Sequence, residues 1–302
     1  MKKIQFPHPG AQKHFSLKNG YREYNDKIIR EWNKDKSHYR KFILNQGDYL
    51  NDLNDSQPKS AGLYFWGEWE GNSVFESLKN EDYRIMPNGV HKPFHSTEIR
   101  EHQNTDPYVF GDYLKYCVCK QSYYNKKKES RLPTKLPFLD KHSVILFGTN
   151  NINIPKFYID TVFVVKCSEH SSKVIENNGA NYTKVYREET LEQLQEYFKP
   201  EVTPSENKIF HGQTWWDNSE FFSFVPCKTD MGENGFERMY LDWDDPLFQP
   251  SKTTQAITYF KSCDNLSQKK FWQKIVEKAL EQGFKLGIRF EEPEEKKLEN
   301  LV

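Results

Sequence analysis

Apolar residues in this chain recur in short alternating runs more often than in long helical stripes. The segment AGLYFWGEWEG (61–71) alternates, which puts Tyr64, Trp66, Glu68 and Glu70 on one face of a strand and Leu63, Phe65, Gly67 and Trp69 on the other. Tyr108–Cys119 reads as a further strand, broken near Gly111. SVILFG (143–148) and FYIDTVFVV (157–165) read as a hairpin, with a polar Asp160 inside the second run. IFHGQTWW and FFSFVPC, within 209–227, read as another hairpin, and FERMYLDW (236–243) and KLGIRF (285–290) as single strands.

Helical spacing is rarer. Ile28, Ile29, Trp32 and Tyr39 predict a helix over about 24–43, basic near its end at His38, Arg40 and Lys41. LEQLQEYF (191–198) predicts a short helix. The clearest stripe is Phe271, Trp272, Ile275, Val276, Ala279 and Leu280, a helix over 267–282 with Ser267 as its cap and Gly283 as its stop. Strands outnumber helices and follow one another directly. The expected class is α+β, a mixed or antiparallel sheet with flanking helices, and a small barrel is one form such a core can take. No linker divides residues 1–302, so one domain is expected. It would carry a helical or irregular extension over 1–60 and a mobile acidic tail over 291–302.

Composition narrows the picture. The 302 residues hold 43 Lys+Arg and 43 Asp+Glu, which argues against a protein that coats nucleic acid nonspecifically and leaves room for a local basic groove. Only 36% of residues are hydrophobic, and 7 Trp, 17 Tyr and 22 Phe replace much of the usual aliphatic core. No apolar run is long enough to span a membrane, and the first residues lack the apolar stretch of a secretory signal. Five cysteines without CxxC spacing argue against a disulfide framework or zinc ribbon. A reduced cytoplasmic protein is expected, with no membrane partner, no cofactor and no metal indicated by ligand spacing. Signatures of P-loops, dinucleotide folds, zincins, serine hydrolases and zinc deaminases are absent.

Four groups of residues carry candidate chemistry. Trp66, Glu68 and Glu70 would share a strand face, where a ring can stack on a base and a carboxylate can read its polar edge; the plainer account is a solvated face. His91, His95, Asn104 and Asp106 lie in proline-bearing loops that suit fixed polar contacts or ordinary turns. Eight basic residues in 115–141, against Glu129 and Asp140, interleave with Tyr116, Tyr123 and Tyr124 in the manner of phosphate-and-base recognition, although most charge runs are simply solvated. In HGQTWWDNSEFF (211–222), one of the adjacent tryptophans would anchor the core and the other would be exposed or wall a pocket.

Taken together, HPG (8–10), FWGEWE (65–70), NTDPYVFG (104–111), CKQ (119–121), the Ser143–Gly148 strand, DTVFVV (160–165) and FSFVPC (222–227) resemble a poorly characterised bacterial family. That family is placed near the nucleotide-modification-associated domains of phage and bacterial conflict systems. SVILFG followed by YIDTVFVV is similar, more loosely, to PUA-like barrels of the ASCH and EVE kind, which hold a base in an aromatic pocket. The chain departs from them in its length and its FWGEWE strand. The resemblance implies a nucleotide- or base-binding protein in phage defence or nucleotide modification. Trp66 would stack, Glu68 or Glu70 would read the base edge, His91, Asn104 and Asp106 would add hydrogen bonds, Lys120 and the basic loop would meet phosphate, and Gln121 counts among the binding residues. Asp160 would orient a neighbour and Trp215 would wall the pocket. The alternative is an enzyme acting at an N-glycosidic or phosphate bond, with Glu68 or Glu70 as acid/base and His91 as helper. A protein-interaction scaffold is the third class.

Overall fold

The computed structural model describes residues 2–7, 21–24, 27–30, 40–80, 86–98, 104–151, 155–194, 204–247, 258–259, 268–297 and 299. The HPG motif at 8–10, the Ser267 cap and the end of the 191–198 segment lie outside them. Among the described residues the chain is mostly sheet. Its strands are β1 (Lys3–Pro7), β2 (Tyr21–Tyr24), β3 (Lys27–Arg30), β4 (Lys41–Leu50), β5 (Lys59–Gly67) and β6 (Ser73–Ser77). Then come β7 (Gly89–Pro93), β8 (Lys115–Tyr116), β9 (Ser122–Asn125), β10 (Ser130–Pro133), β11 (Val144–Asn151) and β12 (Lys156–His170). The last are β13 (Lys208–Gly212), β14 (Val225–Lys228), β15 (Met239–Asp242), β16 (Thr258–Tyr259) and β17 (Lys285–Phe290). Helices α1 (Ser171–Glu176) and α2 (Lys184–Tyr186) are short, and α3 (Gln268–Glu281) is the one long helix among the described residues.

Two large sheets form. One runs β16-β1-β11-β12-β13-β8, with β15 also on β12. The other runs β17-β14-β5-β4-β7-β6-β3-β2, and an added β17–β4 pairing closes β4, β5, β14 and β17 into a four-stranded antiparallel barrel. Closure needs a close approach at Gly47, where a Cβ would sit 2.4 Å from the Arg289 carbonyl oxygen. The strands of the barrel show two apolar faces, as alternation requires. Leu63 and Phe65 join Ile43, Trp69, Val225 and Phe290 in one buried cluster, while Trp66 joins Phe42, Leu286 and Ile288 in another. Helix α3 covers that second cluster with Phe271, Trp272, Ile275 and Val276, and the Trp272 indole donates to the Phe222 carbonyl at 2.7 Å. Gly283, at φ +75°, ends α3 as the stripe predicts: its N–H reaches Leu280 O and the Phe284 N–H reaches Ala279 O.

Several expectations are corrected. The helix over 24–43 is replaced, where described, by β3 and the start of β4. Lys41, Phe42 and Ile43 are buried, Phe42 and Ile43 are paired on both edges of their strand, and short apolar runs do not distinguish helix from strand. The long strand over 108–119 shrinks to Lys115–Tyr116, because Asp106 draws the N–H groups of 117–119 out of the sheet. The 209–227 hairpin is not formed: β13 pairs with β12 and β8, and β14 with β5 and β17. Of the 191–198 helix only 191–194 are described, where a π turn over Arg187–Leu191 runs into a 3-10 turn at Glu192–Leu194. The tail is tied down as far as Lys296, since His95 N–H donates to Glu294 O at 2.9 Å and Lys296 N–H to His95 O at 2.8 Å.

Candidate functional site

The register of β4 against β5, Lys41 opposite Gly67, carries on to bring Arg40 beside Glu68. The Arg40 Nη1 lies 2.6 Å from Glu68 Oε2, and its Nε lies 2.6 Å from Asp160 Oδ2. The register of β12 against β15, Ile159 opposite Met239, sets Arg238 next to Asp160 in the same way, at 3.8 Å. Lys41 meets Glu70 at 2.8 Å. None of these side chains is more than 6% exposed, so ion pairs and hydrogen bonds replace water here. Burial works against the Arg40 charge, but the carboxylates of Asp160 and Glu68 outweigh it and raise its pKa.

The motif segments meet at this network. Glu68 Oε1 accepts from the Asp106 N–H at 3.2 Å, and the Glu70 N–H donates to Thr105 Oγ1 at 2.9 Å. Asp106 in turn accepts the N–H groups of Cys117, Val118 and Cys119 at 2.8, 2.8 and 2.7 Å. Gln121 bonds Cys117 O and both backbone groups of Lys208. Trp66 is covered too: its indole donates to Phe236 O at 2.9 Å, and the Arg238 guanidinium lies 4.5 Å from its ring centre. His91 is 1% exposed, with Nδ1 2.8 Å from Ser73 Oγ and its ring against Phe75. Trp66, Glu68, Glu70, Asp106, Gln121 and Asp160 are thus buried parts of the framework. The solvated face considered for Glu68 and Glu70 is not formed, and Asn104 is only half-buried beside them. Among the described residues, no three His, Cys, Asp or Glu side chains are grouped to hold a metal ion.

His95 forms a second cluster, with Nδ1 2.6 Å from Glu189 Oε1 and Nε2 2.8 Å from Glu188 Oε2. Burial alone would lower the imidazole pKa, yet the two carboxylates outweigh it and raise it above 6.5. A raised histidine stabilises the fold fully below the unfolded value and loses that contribution as pH rises through the folded one. Thermal midpoints should therefore fall as pH is raised above about 6.5, and His95→Asn should flatten that decline. Parallel pH curves for the two proteins would refute the assignment.

The exposed chemistry lies elsewhere. β9 and β10 form a two-stranded ribbon separate from both large sheets. Its turn is set by Asn125, whose Oδ1 accepts the N–H groups of Lys127 and Lys128. Its root is clamped by Gln121 and by Thr134, whose hydroxyl donates to Lys120 O at 2.8 Å. Tyr123 and Tyr124 are 48% and 56% exposed, and Tyr124 stands directly across from Arg131. Lys120, Lys126, Lys127, Lys128 and Lys135 are exposed around them, with Lys141 and the half-exposed Phe138 just beyond. Lys115, counted in the same basic stretch, is not part of this surface. It is 3% exposed under Tyr108, Tyr113 and Tyr186, where burial lowers its pKa to about 8. Trp215 lies apart, half-buried against the second core cluster, and Trp216 beside it is exposed.

The spacing that predicts a helix over 24–43 puts Arg40 and Lys41 at its end, and nothing in the local pattern singles out Arg238 or Trp216. The signal for the arginines was the polar Asp160 and Glu68 in apolar company, since buried carboxylates need cations. No helix among the described residues is long and apolar enough to cross a membrane. The chain matches no known family model, no curated protein and no solved structure.

Proposed function

We propose that this protein binds single-stranded nucleic acid through the β9–β10 ribbon. The observation that carries the reading is the pairing of two exposed tyrosines with a clamped basic turn. Lysines on the turn meet phosphates, and rings with one free face stack on unpaired bases. Residues 120–141 hold seven basic and two acidic side chains in a chain whose charges balance as a whole, so the positive field is concentrated here. Arg131 opposite Tyr124 places a cation and a ring on one face of the ribbon. This agrees with the ligand class implied by the resemblance to nucleotide-modification-associated domains, and a role in phage defence belongs to the same proposal. It moves the ligand away from Trp66, Glu68 and Glu70. The enzyme reading has little to work with at those carboxylates, which face Arg40 and Lys41 in the interior.

Fluorescence anisotropy with labelled oligo-dT and oligo-rU tests the proposal. Binding should weaken linearly in log–log fashion with salt. Lys126→Ala/Lys127→Ala/Lys128→Ala should reduce the slope by about 2, from roughly 0.7 per phosphate contact on a single strand. Tyr124→Ala should cost about 1–3 kcal/mol if its ring stacks on one base. Equal affinity of wild type and triple variant at low salt would sink the ribbon as the binding surface. Preference for duplex over single strand would argue against stacking.

A further inference from the structure

Trp215 and Trp216 stand at 86° with ring centres 5.8 Å apart, forming two walls of a surface groove of about 590 Å³. Leu53, Asp55, Ser56, Asp217, Asn218 and Ser219 complete the lining. The groove shares no residue with the ribbon. Its lining contains two carboxylates and no lysine or arginine, which disfavours a phosphate.

The walls are built rather than incidental. Trp215 packs on the second core cluster, so its position is fixed from behind. Trp216 is 51% exposed, so it has ring surface available. The Thr214–Asp217 turn that carries both rings is locked by reciprocal bonds: Asp217 Oδ2 accepts the Thr214 hydroxyl and N–H at 2.8 and 3.1 Å, and the Asp217 N–H donates to Thr214 Oγ1. Asp217 Oδ1 pairs with Lys166 at 2.8 Å from outside the lining. On the opposite side, Asp55 Oδ2 accepts the backbone N–H of Asn51 at 2.6 Å. Both carboxyls sit below their ordinary pKa. The Asn51 N–H lowers that of Asp55; for Asp217, Lys166 and Thr214 outweigh burial. The groove therefore presents aromatic surface beside fixed negative charge.

We infer that the Trp215–Trp216 groove binds an organic cation, specifically an alkylated ammonium group. The half-exposed Trp216 ring offers its negative face to such a cation, which sheds water more readily than a primary ammonium; Trp215 closes the side, and Asp55 supplies the counter-charge, since the Asp217 charge is met by Lys166. The site is independent of the nucleic-acid reading.

The test is isothermal titration of the full chain with choline and with its neutral carbon isostere, 3,3-dimethylbutan-1-ol. Choline should bind saturably and about two- to fivefold more tightly than the isostere, the increment an exposed cation–π contact gives. Trp216→Ala should abolish the difference while leaving the unfolding midpoint unchanged, because its ring is half exposed. Trp216→Phe should retain part of it. Equal binding of the two probes would reduce the groove to an apolar contact and overturn the inference. Tighter binding of adenosine than of choline would make it a base site instead, and absence of saturable choline binding would also overturn it. None of these outcomes bears on the ribbon, whose oligonucleotide affinity Trp216→Ala should leave intact.

Discussion

Arg40→Leu should destabilise the fold by about 3–5 kcal/mol, the usual cost of removing one partner from a buried ion pair. Arg40 is 1% exposed and holds two carboxylates, Glu68 and Asp160, from different sheets. Leucine fills much of the volume but leaves both carboxylates in the interior, with Arg238 still 3.8 Å from Asp160. Each carboxylate must then take up a proton or admit water. Urea unfolding followed by tryptophan emission measures the loss, and Trp66, covered by Arg238, lies at the network itself. Glu68→Gln on the Arg40→Leu background should return part of the loss, since it removes one uncompensated charge. A loss below about 1 kcal/mol, in the range of exposed ion pairs, would mean that the network is solvated.

Asp106→Ala should cost at least about 3 kcal/mol, by leaving the N–H groups of Cys117, Val118 and Cys119 without their acceptor at roughly 1–3 kcal/mol each. Asp106→Asn should fall between, because one oxygen survives and an NH2 group faces the remaining donors. The pH dependence runs opposite to that of an ordinary aspartate. Burial pushes the folded pKa up to about 6 from 3.8, against the pull of those N–H groups. Between the two values the folded state holds the extra proton, so the contribution of Asp106 is largest at low pH and falls as pH rises to about 6. The gap between wild type and Asp106→Ala should therefore be wider at pH 4 than at pH 7. A gap that widens toward neutrality would reverse the assignment.

Local signals were legible where neighbours in sequence decide the structure. The stripe Phe271–Leu280 with Gly283 behind it gave α3, and the paired apolar runs at 143–165 gave β11 and β12. Tyr123 and Tyr124 amid lysines marked the ribbon, though as a loop, because nothing in KQSYYNKKKESRLPTK announces the Tyr124–Arg131 register. The carboxylates Glu68, Glu70 and Asp160 stand out along the chain because they sit in apolar company, and the fold buries all three. What the sequence could not supply was their partners. Arg40 lies 28 residues from Glu68, and the pairing follows from strand register. Arg238 reaches Asp160 only through the β12–β15 pairing. Without those registers, a buried salt network and a ligand pocket call for the same residue types.

Strand β4 has one partner along its first edge, β5, and two along its second: β7 at Phe42 and Ile43, then β17 from Gly47 to Leu50. It therefore belongs to an open sheet at one end and to a closed barrel at the other. This has a consequence for the order of synthesis. The β5 and β7 neighbours emerge from the ribosome soon after β4, but the strand that seals its second half ends at Phe290. Until then the backbone of residues 47–50 faces outward as an unpaired edge, the kind of surface on which chains join one another. The nascent protein must hold that edge apart from its copies until β17 has been made, and a chain cut short before residue 285 would keep that seam open.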